Sequence, residues 1–191
     1  MQIQLQNTEK HIYVRLLQPD DAEALLHMRL QSRHANQRYE PQYPEEFFTM
    51  ASQLDLLYRR QQEATEDRGY LFGIFLQAQD ELIGTVSISH IVRGVGQFAE
   101  LGYSLSSAHQ GHGYMTAGVK LVLGYSFHSL GLHRIQAGII PDNHSSRRVL
   151  EKCGFQPEGI ARKLVKINGN WEDHQIYALL AEDTEYTSAR Q

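Results

Sequence analysis

The segment best suited to chemistry in this chain is Gln110-Gly111-His112-Gly113-Tyr114-Met115, which joins a strand-like run, Phe98 to Ser106, to a helix-like run, Met115 to Leu130. A glycine turn at such a junction aims several backbone N–H groups at one point, and the helix dipole adds to their attraction for an anion. The expected ligand is a phosphate group. Spacing excludes two common devices. A P-loop needs Lys and Ser or Thr after its last glycine, and Gly113 is followed by Tyr114 and Met115. A dinucleotide fingerprint needs a third Gly or Ala where Thr116 stands, and an acidic residue closing the next strand, His133 to Ile140; it finds neither. Gly94-Val95-Gly96-Gln97-Phe98-Ala99 fits that pattern on paper, but the residues after it alternate like a strand instead of opening a helix.

The strand ahead of the loop carries the second candidate. Ala99, Leu101, Tyr103 and Leu105 fall on one face, and Glu100, Gly102 and Ser104 on the other. Glu100 is thus a lone carboxylate opposite the larger side chains, a placement that suits a general base. Cys153, the single cysteine, precedes Gly154 at a helix end with no base beside it, and reads as a buried structural thiol. His109 and His112 flank the turn without a Cys, His or carboxylate set around them, so no metal is expected.

The elements that must hold these residues follow from periodicity. His11 to Leu17 alternates as a strand, and Pro19-Asp20-Asp21 starts a helix with Ala22, Leu25, Leu26, Arg29 and Leu30 at helical spacing. A second helix follows Pro44, with Phe47, Phe48, Leu54, Leu57 and Tyr58 as its apolar set. Tyr70 to Leu76 and Leu82 to Val92 form a hairpin around Gln79-Asp80-Glu81. After the loop helix, which stops at Gly131, the strand His133 to Ile140 leads to a short helix capped by Asn143 or Asp142 and ended by Gly154. Gly159 to Ile167 and Trp171 to Leu180 close the chain as a hairpin across Asn168-Gly169. Strands and hairpins mixed with helices predict an α/β fold, a mixed sheet with helices on its faces.

Composition sets the outer limits. The 191 residues suffice for one domain over 1–191, with its core in about 11–181 and no linker. Hydrophobic residues at 41% and charged residues at 21% are ordinary globular values. A net charge of −4 gives no basic footprint for nucleic acid. No apolar run is long enough to span a bilayer, the N-terminus lacks a secretory pattern, and one cysteine fits a reducing compartment. A cytoplasmic protein is expected.

Glu100-Leu101-Gly102-Tyr103, the glycine loop, Leu132-His133-Arg134-Ile135, Asn143 with Ser146, Gly154-Phe155, Glu158-Gly159 and Trp171 with Asp173 occur in an order that resembles the RimJ/RimL branch of the GNAT superfamily of N-acetyltransferases. The loop matches that superfamily's pattern at Gln110, Gly113 and the Tyr114 amide, and departs from it with Met115 at the last small position. Val92-Arg93-Gly94, Asn168-Gly169-Asn170-Trp171 and Asp173-His174 are most similar to RimJ-type members, which acetylate the N-terminal alanine of a ribosomal protein.

The resemblance implies a mostly antiparallel sheet splayed in its middle, with acetyl-CoA as donor and no metal. Main-chain groups of Leu101, Gly102 and Tyr103 would then pair with pantetheine. Gln110, Gly111, His112, Gly113, Tyr114 and Met115 would hold the pyrophosphate. Asn143 would line the same site, and Arg148, or Arg147 or Lys152, would meet the 3′-phosphate. Glu100 is implied as base, Ser146 as the hydroxyl that meets the leaving thiolate near the dipole of its helix, with Asn143 beside it, and a backbone N–H near Leu101 to Tyr103 as oxyanion donor. The tyrosine that many members carry seven residues after the asparagine is here Leu150. The acceptor would lie against Arg33, His34, Tyr39, Glu40 and Pro41 and near Trp171. It would be a protein N-terminal alanine or serine, as on the ribosomal protein that RimJ-type members acetylate. A small amine such as a polyamine or amino sugar, or a non-catalytic acyl-CoA-binding module, are the alternatives. The resemblance also allows a homo-oligomer, with no direct nucleic-acid or membrane partner.

Overall fold

A computed structural model of the protein describes residues 3–33, 38–39 and 41–184. Eight strands form one sheet: β1 (Gln4–Asn7), β2 (Ile12–Leu16), β3 (Tyr70–Leu76), β4 (Glu81–Val92), β5 (Phe98–Leu105), β6 (Arg134–Ile139), β7 (Gln156–Ile167) and β8 (Asn170–Leu180). Their order is β1-β2-β3-β4-β5-β6-β8-β7, and every neighbour pairs antiparallel except β5 with β6. The sheet is therefore mixed and mostly antiparallel, as expected. Strand β1 is an addition to the expected set. Four residues with an exposed and half-buried alternation carry too little apolar signal to stand out locally.

Strand alternation sends two sets of side chains to opposite sides. Phe72, Ile74, Ile83, Val86 and Ile88 pack on the side of α3 (Tyr114–His128) and α4 (His144–Lys152), joined there by Leu123, Leu150 and Phe155. Leu71, Phe75 and Leu82 pack on the other side against Leu25 and Met28 of α1 (Ala22–Ser32) and Leu57 of α2 (Met50–Thr65). Helices thus cover both faces. Helices α1 and α2 each enter through a short 3-10 turn, at Pro19–Asp21 and Glu45–Phe48, and α2 begins where the Thr49 hydroxyl accepts from the Ser52 N–H.

The feature that positions a site is the incomplete pairing of β5 with β6. They pair only at Phe98, Ala99 and Glu100 with Arg134, Ile135 and Gln136. Past that point β5 stays bonded to β4 and β6 stays bonded to β8, so the two strands diverge. The divergence is the expected splay, and it opens between Leu101–Leu105 and Ala137–Ile139.

Helix α1 is tied down by one half-buried ion pair. Both Asp21 oxygens accept from the Arg15 guanidinium at 2.7 Å, and one also accepts from the Gln18 N–H at 2.8 Å. Burial alone would raise the Asp21 carboxyl, but these donors outweigh it and hold its pKa below the ordinary carboxylate value. A lowered folded pKa means stability that is present above pH 3.8 and is lost as pH falls through the folded value. We expect Asp21→Asn to cost about 1.5–3 kcal/mol at pH 7 in urea unfolding. Its gap from the parent should close as the pH is lowered below the ordinary carboxylate range.

Candidate active site

The splay is filled by a cavity of about 840 Å³. Leu101 to Leu105 form one wall, Ala137 to Ile140 the other, and Asn143, Ser145, Ser146, Arg148, Val149 and Lys152 of the α4 region a third side. Gln110, Gly111, Gly113, Met115 and Thr116 close one end. Gly111 and Gly113 both have φ of +81°, a left-handed conformation that glycine adopts without a Cβ clash. Gly113 is the N-cap of α3, so the first N–H groups of that helix have no intrahelical acceptor. An anion-accepting end therefore faces a long open cleft.

The loop's own side chains divide. Gln110 and Met115 reach the cavity. The rings of His112 and Tyr114 stack on each other instead, centroids 5.6 Å apart, and neither residue lines it. Any part they take in holding an anion is through the main chain. Among the cations, Arg148 and Lys152 line the cavity, while Arg147 turns away and donates to the Pro141 carbonyl at 2.6 Å.

Asn143 is the cap of α4: its side-chain oxygen accepts from the Ser146 N–H at 3.1 Å. Asp142, the other capping candidate, pairs with Arg38 instead. Ser146 stands in the first turn of α4, with its Oγ 2.6 Å from the Tyr103 hydroxyl, which also lies 3.2 Å from the Ser146 carbonyl. Tyr103 was expected to contribute its main chain; its side chain crosses the cleft as well. Burial pushes its ionisation up, so it remains a neutral O–H donor. Leu150 is fully buried and does not line the cavity.

A second cavity, of about 550 Å³, lies under α1 and α2 and meets the first at Gly102, Tyr103 and Ser104. Thr85, Ser87 and Gly102 form its floor, Tyr43, Phe47 and Phe48 its aromatic side, and Arg29, Arg33, Arg60 and Glu45 its charged lining. Glu45 is paired with Arg33. Of the residues expected around an acceptor, Arg33 and Pro41 line this cavity and Tyr39 lines the first one. His34 and Glu40 lie outside the described residues. Trp171 pairs with Lys166 at the outer hairpin, is 58% exposed and lines neither cavity.

Glu100 sits at the apex of the splay, on the same sheet face as Gly102 and Ser104. One carboxylate oxygen accepts from the His90 Nδ1–H at 2.8 Å and the other from Gln136 Nε2 at 3.4 Å. His90 is turned toward it by a register slip in β4 between Ser89 and Val92, where its φ is +51°. Glu100 lines neither cavity directly, so contact with a group in the cleft would run through solvent. Sequence reasoning gave no role to His174, which is 6% exposed, lines the first cavity and donates from Nδ1 to the Glu172 carbonyl at 3.2 Å. It pairs with Ala161 of β7, just past the end of the β6–β8 pairing at Gln175, a placement that no local pattern announces.

Among the described residues, no group of three or more His, Cys, Asp or Glu gathers as a metal site, and no helix is long and apolar enough to cross a membrane. Cys153 is 6% exposed, and burial pushes its thiol up to about 12. It is no nucleophile. Iodoacetamide at pH 8 should label the native protein at least about 100-fold more slowly than the unfolded chain, by intact mass.

Comparison with known proteins agrees with this geometry. The acetyltransferase (GNAT) domain model matches residues 11–156. The "Probable N-acetyltransferase YjcK" of Bacillus subtilis (strain 168) is 48% identical over 176 residues, 92% of this chain and 97% of that protein. The ribosomal-protein-S5-alanine acetyltransferase of Vibrio fischeri superposes with a TM-score of 0.89 at 32% identity, covering 95% of this chain and 98% of that one. Mycobacterium smegmatis RimJ, solved in complex with CoA-disulfide, gives a TM-score of 0.89 at 28% identity, over 96% and 88% of the two chains.

Proposed function

The chain belongs to the GNAT acetyltransferases, and from that premise we propose that it moves the acetyl group of acetyl-CoA to the α-amino group of a protein beginning with Ala or Ser. It is an N-acetyltransferase with acetyl-CoA as donor. The acceptor assignment draws on likeness to a ribosomal-protein-alanine enzyme at 32% identity. The observation that supports the reading is the meeting of two cavities at Gly102 to Ser104, which we assign to the donor and to the acceptor.

In this assignment Gln110, Gly111, Gly113 and the amides from Tyr114 to Thr116 hold the pyrophosphate, and Arg148 with Lys152 meets the 3′-phosphate. The open edge at Leu101 to Tyr103 pairs with the pantetheine amides as a strand would. A backbone N–H of that edge polarises the thioester carbonyl. Glu100 takes the proton of the attacking amine through a water molecule. An α-amino group has a pKa of about 7.7–8.0, so a sizeable share is already neutral near pH 7 and the base need not be strong. Ser146, held by the Asn143 cap at the N-terminus of α4, meets the sulfur as it leaves.

Acceptor charge separates the alternatives. Arg29, Arg33, Arg60 and Glu45 line the acceptor cavity, and with Arg33 paired to Glu45 and Arg60 to Glu63 the lining keeps a net excess of one positive charge. That balance disfavours a polycation such as a polyamine, which would bring several positive charges to it. A single N-terminal ammonium that deprotonates before attack is tolerated.

Thiol release from acetyl-CoA, measured against a panel of peptides and small amines, tests the reading. Peptides starting with Ala or Ser should turn over at least about 100-fold faster, in kcat/KM, than spermidine or an aminoglycoside. Equal or faster turnover of a small amine would overturn the acceptor, and no turnover with any amine would overturn transfer itself. With the best peptide, Glu100→Gln should lower kcat by about 100-fold or more while calorimetry shows unchanged CoA affinity. Unchanged turnover would remove Glu100 from the mechanism.

A further inference from the structure

Resting on the assignment of Ser146 above, we propose that Tyr103 is a positioning residue for departure of the sulfur, its hydroxyl holding Ser146 with the serine proton aimed into the donor cleft. The two side chains come from β5 and from the first turn of α4, and both line the donor cavity. Their oxygens are 2.6 Å apart, while the Ser146 carbonyl is 3.2 Å from the same phenol. One phenolic proton thus has two acceptors.

Each choice has a consequence. When the phenol donates to the carbonyl, its oxygen accepts the serine proton, and Ser146 offers nothing to a third group. When the phenol donates to Ser146 Oγ, the serine O–H is released to point at whatever occupies the cleft. The two states differ only by rotation about two C–O bonds. A thiolate selects the second, because a hydrogen bond to an anion is about twice as strong as a neutral one and each bond in the chain polarises the next.

The chain lends hydrogen bonds and gives up no proton. Burial raises the ionisation of Tyr103 above that of a free phenol, already higher than an ordinary thiol near 8.5, so a tyrosinate cannot be the product. In the transfer step the nitrogen–carbon bond forms, and the carbon–sulfur electron pair goes to sulfur. The proton lost by the acylated nitrogen finally neutralises that thiolate. Tyr103 and Ser146 hold the negative charge in the interval.

The test reads the thiol of CoA bound to the intact protein, by thiolate absorbance near 240 nm against the desulfo-CoA complex as blank. In the parent protein the bound thiol should ionise at lower pH than free CoA. Both Tyr103→Phe and Ser146→Ala should lose about 10-fold of that thiolate stabilisation, and the double variant should match Ser146→Ala alone. Calorimetric affinity for desulfo-CoA should be unchanged in each, which separates a lost hydrogen bond from a damaged fold. With the preferred peptide, kcat of Tyr103→Phe should fall about 10-fold with little change in the KM for acetyl-CoA. A Tyr103→Phe protein that ionises the thiol like the parent, while Ser146→Ala does not, overturns the proposal and leaves Ser146 standing. A parent protein with no shift overturns both. The readout needs no acceptor, so failure of the Ala or Ser assignment is seen separately in the amine panel.

Discussion

An interrupted strand pair is the constraint on which the site depends. Past Glu100 and Gln136, the facing edges of β5 and β6 carry main-chain N–H and C=O groups with no strand partner. Such groups are costly if they are buried dry, so they bond to water in the open cleft or to a ligand that replaces it. Pantetheine, an extended chain with two amides, is chemically suited to do so. The same pairing clasps the apex: the His133 and Arg134 N–H groups both donate to the Gln97 carbonyl, at 2.7 and 3.2 Å, and Arg134 pairs with Glu158 on β7. The splay is thereby anchored at one end and open at the other, where the glycine loop stands.

Strand alternation then divides the chemistry between the two faces. Leu101 and Tyr103 point to the α3 and α4 side, and Glu100, Gly102 and Ser104 to the α1 and α2 side. In the proposed assignment the donor's phosphates go with the loop at the start of α3, and the base with the face roofed by α1. The two cavities can meet only where the sheet between them is thin. Gly102 supplies that place, and a Cβ there would come within 2.8 Å of Ser87 Oγ. The end of α1 is tied to the exit of β5 through Ser32, whose hydroxyl accepts from the Ser107 N–H at 3.0 Å. The second cavity, which Ser32 also lines, is therefore bounded by a contact between the end of α1 and the exit of β5, 75 residues apart in sequence.

Much of this was legible in the sequence because it is local. The glycine loop, the Asn143 cap, the lone carboxylate on β5 and the hairpins at Tyr70–Leu76 with Glu81–Val92 and at Gln156–Ile167 with Asn170–Leu180 all express periods of two, periods of 3.6 or turn chemistry within a dozen residues. The branch resemblance added the splay. What stayed hidden depends on distance along the chain. Tyr103 and Ser146 are 43 residues apart, and only the closing of β5 over α4 joins them. Arg29, Arg60, Thr85 and Ser87 come together because α1 and α2 fold over β4, and each looks alone like a solvated helix or strand residue. His174 is placed by its pairing with Ala161 of β7, and β1 by pairing to β2, neither of which leaves a local trace.

The helix phase of α4 explains why the phenol must come from the strand. Ser145, Ser146, Arg148, Val149 and Lys152 line the cleft, whereas Leu150 is fully buried in the core shared with α3 and Phe155. A side chain at position 150 is committed to holding α4 against the sheet. The hydroxyl it does not supply is brought from the opposite wall, on β5, whose Tyr103 is held in register with Val86 of β4. A strand bonded along its length fixes a side chain more firmly than a nine-residue helix fixes its first turn. Ser146 sits in that first turn, held by one cap, and gains from a partner rooted in the sheet. The phenol on β5 thus ties the first turn of the short helix to the sheet.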